Sequence, residues 1–176
     1  MTVEPAVFSL INYDADEIAT IAGELAGLLG IGNPITIDVD ETTPLSKVSA
    51  SVEARSSDAR ITVSTESGAL EDTQRFTNLG PAQARVSIGR MLLRARDRIR
   101  PDFTDAPPDL DLSLRQNAAW DAYCAGRLAR IGVRVNEQRF RYNFRNRFGF
   151  ADDVDAMFDR LWSADDLGWS AIDDPT

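Results

Sequence analysis

The chain has 176 residues, of which 19 are basic, 28 are acidic and none is histidine, so its net charge of −9 at pH 7 rests on groups that do not titrate near neutrality. Hydrophobic residues make up 43% of the chain, with 11 glycines and 8 prolines, which is typical of a folded globular protein and excludes collagen-like or low-complexity sequences. Because histidine is missing and cysteine occurs once, His-based catalytic triads, Cys/His zinc sites and internal disulfides are excluded as well.

The first predicted element is an amphipathic helix over residues 14–29. Its apolar side chains recur every three or four positions, as on the buried face of a helix: Ile18, Ile21, Ala22, Leu25, Leu28 and Leu29. Asp14 is a favourable N-cap residue, and Glu17 at the third helical position predicts a capping box. Gly30 suits the left-handed residue that ends a helix, and Pro34 prevents continuation.

A β-rich stretch follows, in which apolar and polar residues alternate over three short segments. Alternating apolar positions are Ile35, Ile37 and Val39, then Val48, Ala50 and Val52, then Ile61 and Val63. Such alternation, with one polar face, is typical of half-buried antiparallel strands, so we expect a small, mainly antiparallel sheet. We also expect an extra strand near residues 6–11.

From Pro81 the apolar spacing becomes helical again. Residues 81–99 form one predicted helix, because proline suits its first position and Pro101 ends it. Further helices are predicted over residues 114–131, 136–148 and from 152 onward, with a covering tail from residue 163.

These elements predict an α+β protein with helices on one face of the sheet and a helical C-terminal part. Residues 1–100 hold the first helix, the three strands and the long helix. An acidic, proline-rich connector follows over 101–113, and the helical part 114–176 is expected to dock on the first part. We expect one compact unit.

Asp38, Asp40 and Glu41 are the most enzyme-like group in the sequence. Residues 38 and 40 project from the same side of a strand, and paired carboxylates at a strand end can hold Mg²⁺ together with phosphate oxygens. They are therefore the candidate catalytic residues of a hydrolase. No glycine-rich phosphate loop accompanies them, because the glycines of residues 27–32 follow a helix, so we favour a solvated strand face.

The segment 139–150 interleaves arginine with aromatic residues. Its candidate anion-binding residues are Arg139, Arg141, Arg145 and Arg147, since cations beside aromatic rings are typical of nucleic-acid surfaces. The structural alternative is a helix whose aromatic side chains enter the core while its arginines pair with neighbouring acids. We favour this alternative.

Charge is distributed unevenly along the chain. Residues 85–147 carry 14 arginines against 7 acids, and both flanks are acidic. A guanidinium pairs readily with carboxylates and is costly to desolvate alone, so we expect the chain to neutralise itself on folding. Several of the following arginines are expected to pair with acids of the connector or of the last helix: Arg90, Arg94, Arg98, Arg139 and Arg145.

The order of predicted elements resembles the minimal core of zincin-like metallopeptidases. A helix over 14–29, strands within 35–66 and helices over 81–99 and 114–131 follow one another as in that core. The family carries His-Glu-x-x-His on the long helix after the sheet, where this chain has Ser87-Ile88-Gly89-Arg90-Met91-Leu92-Leu93. The resemblance therefore implies a scaffold without the metal site, and peptidase activity does not carry over.

The sequence favours a non-catalytic, cytoplasmic interaction or accessory protein that needs no cofactor and no metal. The carboxylate-dependent hydrolase is the alternative, and a binder of an anionic ligand or nucleic acid through the arginine-rich middle is the third hypothesis. No apolar run approaches the roughly 20 residues of a membrane span, and the net charge makes nucleic-acid binding the weaker expectation. The sequence is compatible both with a protein partner and with a homo-oligomer. A concave pocket around Asp38 and Asp40 would favour the hydrolase. An open sheet face in contact with solvent would favour the interaction protein.

Overall fold

The computed structural model describes residues 1–175, which divide into two compact units. The first unit is Met1–Ile99, and the second begins at Arg100.

The first unit combines a four-stranded sheet with two helices, which confirms the α+β class. Its strands lie in the order β1-β2-β4-β3 within the sheet. In chain order the elements are β1 (Thr2–Glu4), α1 (Ala15–Leu29), β2 (Ile35–Asp40), β3 (Val48–Val52), β4 (Ile61–Glu66) and α2 (Pro81–Ile99).

The sheet is mixed, so the expectation of a mainly antiparallel sheet is wrong. β2 pairs in parallel with both β1 and β4, and only β3 runs antiparallel, against β4. Alternation of apolar and polar residues along a strand indicates that one face of the sheet is covered and the other faces solvent. It does not indicate strand direction, and in this sheet the parallel strands also have one face in solvent.

The extra strand lies earlier than predicted. β1 covers residues 2–4, whereas residues 6–11 form a loop. Pro5 follows β1 directly and has no amide hydrogen to continue the pairing with β2.

The core of the first unit lies between the sheet and its two helices. Ile37, Ile61 and Val63 are fully buried on one face of the sheet, and both helices contact the sheet. α1 contributes its predicted apolar stripe, except that Leu28 is 58% exposed because it lies at the stripe's edge. The Arg96 guanidinium donates to the carbonyl of Leu29 at 3.0 Å and so ties α2 to the end of α1.

Helix α1 begins directly after its predicted N-cap, Asp14, and ends at the predicted Leu29, but the predicted capping box does not form. The Asp14 carboxylate accepts from the amide of Asp16 at 2.9 Å, so the N-cap forms without the predicted capping box to Glu17. Gly30 ends the helix with φ 66°, in the left-handed region that favours glycine.

The second unit is helical, as predicted. α3 is the central helix and contacts the other three, which are short. Its helices are α3 (Leu114–Arg130), α4 (Glu137–Phe148), α5 (Asp152–Ser163) and α6 (Trp169–Asp173). Ser113 and Gln116 form a capping box at the start of α3, and Asn136 caps α4.

Aromatic rings build the core of the second unit. Trp120 stacks on Phe103 with ring centroids 5.4 Å apart and packs on Trp169 at 5.3 Å. Because Phe103 is 1% exposed, the connector predicted over 101–113 contributes to this core and is not a free linker. On the other side of α3, Gly126 lets α5 approach so closely that an added Cβ would lie 2.7 Å from the carbonyl carbon of Trp162.

Candidate functional site

Asp38 and Asp40 lie on the wet face of the sheet. The strand registers place hydroxyl or carboxylate side chains at every position of this face: Thr2 and Glu4, Thr36, Asp38 and Asp40, Thr62, Ser64 and Glu66, and Ser49 and Ser51. Both aspartates are exposed. The pair therefore lies on an exposed polar face of the sheet.

The Asp40 carboxylate is held by the turn that follows β2. It accepts from the Thr42 hydroxyl at 2.6 Å and from the Thr42 amide at 2.8 Å. These hydrogen bonds, the hydroxyl first, lower the pKa of Asp40 to about 2. An acid with this pKa stays ionised near neutrality and is a poor general acid or base there.

Glu41 connects two loops. Its carboxylate accepts from the amides of Leu10 and Ser9, both at 2.8 Å, and from the Ser9 hydroxyl at 3.0 Å. The two amide bonds, that of Leu10 first, lower the pKa of Glu41. The sequence-predicted carboxylates therefore do not converge on one point, and no group of three or more cysteine or acidic side chains among residues 1–175 could hold a metal ion.

Three loops meet at the edge where the parallel strands end. Residues 5–13 follow β1, residues 41–47 follow β2 and residues 67–80 follow β4. We call these three segments the loop cluster. In open parallel sheets this edge is where ligands bind.

Hydrogen bonds join the three loops into one surface. Glu41 ties 41–47 to 5–13, and the Asn12 amide donates to the Thr77 carbonyl at 2.7 Å. The Ser67 amide donates to the Thr43 carbonyl at 3.2 Å. Gly68 packs against the backbone of the 41–47 loop, since an added Cβ would lie 2.7 Å from the Leu45 carbonyl oxygen.

The loop cluster exposes four large apolar side chains. Val7 is 82% exposed, Phe76 74%, Leu45 63% and Leu10 61%. Single exposed apolar residues are ordinary, but four on loops that hydrogen-bond to one another are typical of an interaction surface. The sequence did not point to these side chains, because Val7 and Leu10 lie in the segment expected to form an extra strand and Leu45 and Phe76 lie between predicted elements. Large apolar side chains outside the periodic segments were the available signal.

The exposed Phe76 directly precedes Thr77, whose backbone conformation is strained. Thr77 has φ 62°, and it is the one described residue other than glycine with positive φ. A β-branched residue is rare there and costs energy, so its surroundings must hold it. The Glu71 carboxylate does so by accepting from the Thr77 amide at 2.6 Å.

The loop cluster is electronegative. Five carboxylates lie in the loops 41–47 and 67–80 or directly before them, against two cations, Lys47 and Arg75. The carboxylates are Asp40, Glu41, Glu66, Glu71 and Asp72. Four of them accept hydrogen bonds from uncharged amides or hydroxyls, which leave the negative charge uncompensated, whereas Asp72 pairs with Arg75 at 3.4 Å.

The arginines of α4 divide into two groups. Arg145 forms a two-pronged ion pair with Asp155 at 2.7 and 2.5 Å, and Arg141 pairs with Glu137 at 2.8 Å and Asp159 at 2.5 Å. Arg145 thus confirms the expected pairing with the acids of α5. Arg139 is another of the arginines named for such pairing, and it does not form an ion pair within the described chain. Neither Arg139 nor Arg147 pairs with a carboxylate of residues 1–175, and both are exposed.

A cavity of about 150 Å³ opens in the second unit. Its lining is Arg115, Phe148, Met157, Asp173, Asp174 and Pro175. Pockets for small organic ligands usually measure about 300–1,000 Å³. This cavity has room for a few water molecules and does not suggest a substrate site.

Comparisons with protein-family models, with curated proteins and with solved structures found no match. Among the helices of residues 1–175, none is long and apolar enough to cross a membrane.

Proposed function

We propose that this chain is a non-catalytic interaction protein that binds a protein partner through the loop cluster. The observation that carries the proposal is the exposure, by 61–82%, of Val7, Leu10, Leu45 and Phe76 on loops held together by hydrogen bonds. Burying such side chains against a partner releases about 25 cal/mol per Å² of apolar area. Loops already fixed in shape lose little entropy on binding.

The charge of the loop cluster defines the chemistry of the partner. Its carboxylates remain charged beside the apolar side chains, so a partner with an apolar patch and a rim of Lys or Arg fits best. Such rim charges accelerate association and select the partner, while the apolar contacts supply most of the affinity.

The open position of Asp38 and Asp40 favours this function over the carboxylate-dependent hydrolase. The proposal includes a cytoplasmic location and a metal-free, zincin-like scaffold over residues 14–131. The order of α1, the sheet, α2 and α3 supports the scaffold, which stays a prediction.

The experiment is affinity co-purification of the full chain from cells that produce it. The loop variant Val7→Ser/Phe76→Ser removes two exposed apolar side chains, and the control Leu110→Ser/Leu114→Ser removes two that are similarly exposed, at 67% and 63%, in the second unit. We expect wild type and control to retain the same partner and the loop variant to lose it, with unchanged circular dichroism. Retention by the loop variant, or loss with the control, would refute the proposal.

A further inference from the structure

A second surface, on α4, has the opposite charge. Tyr142 is 60% exposed and Phe150 66%, and their rings form an edge-to-face pair with centroids 6.1 Å apart. Arg139 precedes Tyr142 by three residues and therefore lies on the same side of the helix, and the exposed Arg147 lies near its end. We call Arg139, Tyr142, Arg147 and Phe150 the α4 strip.

The α4 strip has the composition of an interaction surface. Tyr and Arg are the residue types enriched where binding energy concentrates at protein interfaces. Arg141 and Arg145 are neutralised by acids of α4 and α5, whereas the two arginines of the strip have no carboxylate partner within the described chain. Residues 138–151 contain no acid, so the strip is locally cationic.

We infer that the loop cluster of one copy of this chain binds the α4 strip of a second copy. The inference rests on the proposed function of the loop cluster and names its partner. The two surfaces have complementary charge. The loop cluster has exposed apolar side chains beside uncompensated carboxylates, and the α4 strip has exposed aromatic rings beside uncompensated guanidinium groups. Contact between them would pair the carboxylates with the guanidinium groups and bury the apolar side chains against the rings.

The two surfaces differ, so the contact is heterologous. In each contact one copy uses its loop cluster while the other uses its α4 strip. Two copies that exchange both contacts close into a dimer, and otherwise the contacts continue into a ring or an open chain of copies. In either case association is expected to weaken as salt screens the charges.

Sedimentation velocity of the purified full chain, from low micromolar to near-millimolar concentration, tests the inference. We expect wild type to form larger species as concentration rises. Arg139→Glu/Arg147→Glu should weaken association about ten-fold or more, as should Val7→Ser/Phe76→Ser. The control Arg60→Glu/Arg134→Glu makes the same charge change at two exposed arginines outside both surfaces and should associate as wild type does.

The decisive experiment mixes the two surface variants, Arg139→Glu/Arg147→Glu and Val7→Ser/Phe76→Ser. Each variant keeps one intact surface, so together they should form a 1:1 dimer that cannot grow, although each alone stays monomeric. Wild type that is monomeric throughout, or a mixture that stays monomeric, would overturn the inference. If the loop variant still loses a different co-purified protein in that case, the proposed function survives and only the second copy is excluded.

Discussion

At the scale of single residues, the loop cluster depends on side chains that hold backbone groups in place. Glu41 and Glu71 each accept from amides of a loop, and Thr77 adopts a left-handed conformation next to the exposed Phe76. Strain of this kind is retained where the surrounding structure enforces it, often at functional sites. Glu41, a catalytic candidate in the sequence, thus holds together two loops of the proposed binding surface.

Replacing Thr77 by glycine should stabilise the protein. Relief of the left-handed strain is worth about 1–2 kcal/mol and the extra flexibility of glycine in the unfolded chain costs about 0.5–1 kcal/mol, so we expect a gain of about 0.5–1 kcal/mol. Denaturant unfolding measures this change. Thr73→Gly, in the same loop but without positive φ, should instead lower stability by about 0.5–1 kcal/mol. A loss of stability with both variants would contradict the assigned strain.

Asp40 should make stability depend on pH in the acid range. Its pKa is about 2 in the folded chain, below the ordinary value of 3.8, so its contribution is fully present above the ordinary value and is lost as pH falls toward 2. Wild type should therefore lose stability more steeply than Asp40→Asn between about pH 5 and pH 2.

Thermal unfolding at a series of pH values provides the comparison for Asp40. Asp38→Asn removes a charge from the same sheet face without removing a hydrogen bond among residues 1–175, and it is the control for loss of charge alone. Identical slopes for wild type and Asp40→Asn would show that the hydrogen bonds from Thr42 do not stabilise the ionised carboxylate.

At the scale of secondary structure, the elements with strong periodicity were predictable. The spacing of Ile18, Ile21 and Leu25 gave α1, and the alternation from Ile35 to Val39 gave β2, because burial of one face imposes a period on the sequence. Strand direction and strand order were not predictable. They depend on which strands pair over long sequence separations, as β2 pairs with β4 and places Thr36 opposite Thr62. The local alternation of apolar and polar residues does not indicate which strands pair.

The approach of α3 to α5 depends on one glycine. Gly126→Ala would place a Cβ against the backbone of Trp162, so we expect a loss of about 1–3 kcal/mol or more, although alanine is the better helix former. The matched control is Gly23→Ala in α1, where a Cβ would meet nothing within 4 Å and stability should rise by about 0.5–1 kcal/mol. Equal effects in chemical denaturation would contradict the close packing of α3 on α5.

At the scale of the whole molecule, neutralisation of charge is selective. The acids of α5 neutralise Arg141 and Arg145, whereas Arg139 and Arg147 on α4 and four carboxylates of the loop cluster lack a partner of opposite charge among residues 1–175. The sequence predicted pairing in general but could not predict which arginines remain exposed. That selection depends on the rotation of α4 about its axis, which packing of Phe144 and Phe158 determines.

The central claim, that the loop cluster binds a protein, is tested most directly by site-specific photo-crosslinking in the producing cells. Phe76→p-benzoylphenylalanine places a photoreactive ring on the loop cluster, and Leu110→p-benzoylphenylalanine places it at an exposed position of the second unit. We predict that position 76 yields a discrete adduct with one protein, either another protein or a second copy of this chain, and that position 110 does not. No adduct from position 76, or the same adducts from both positions, would contradict the account.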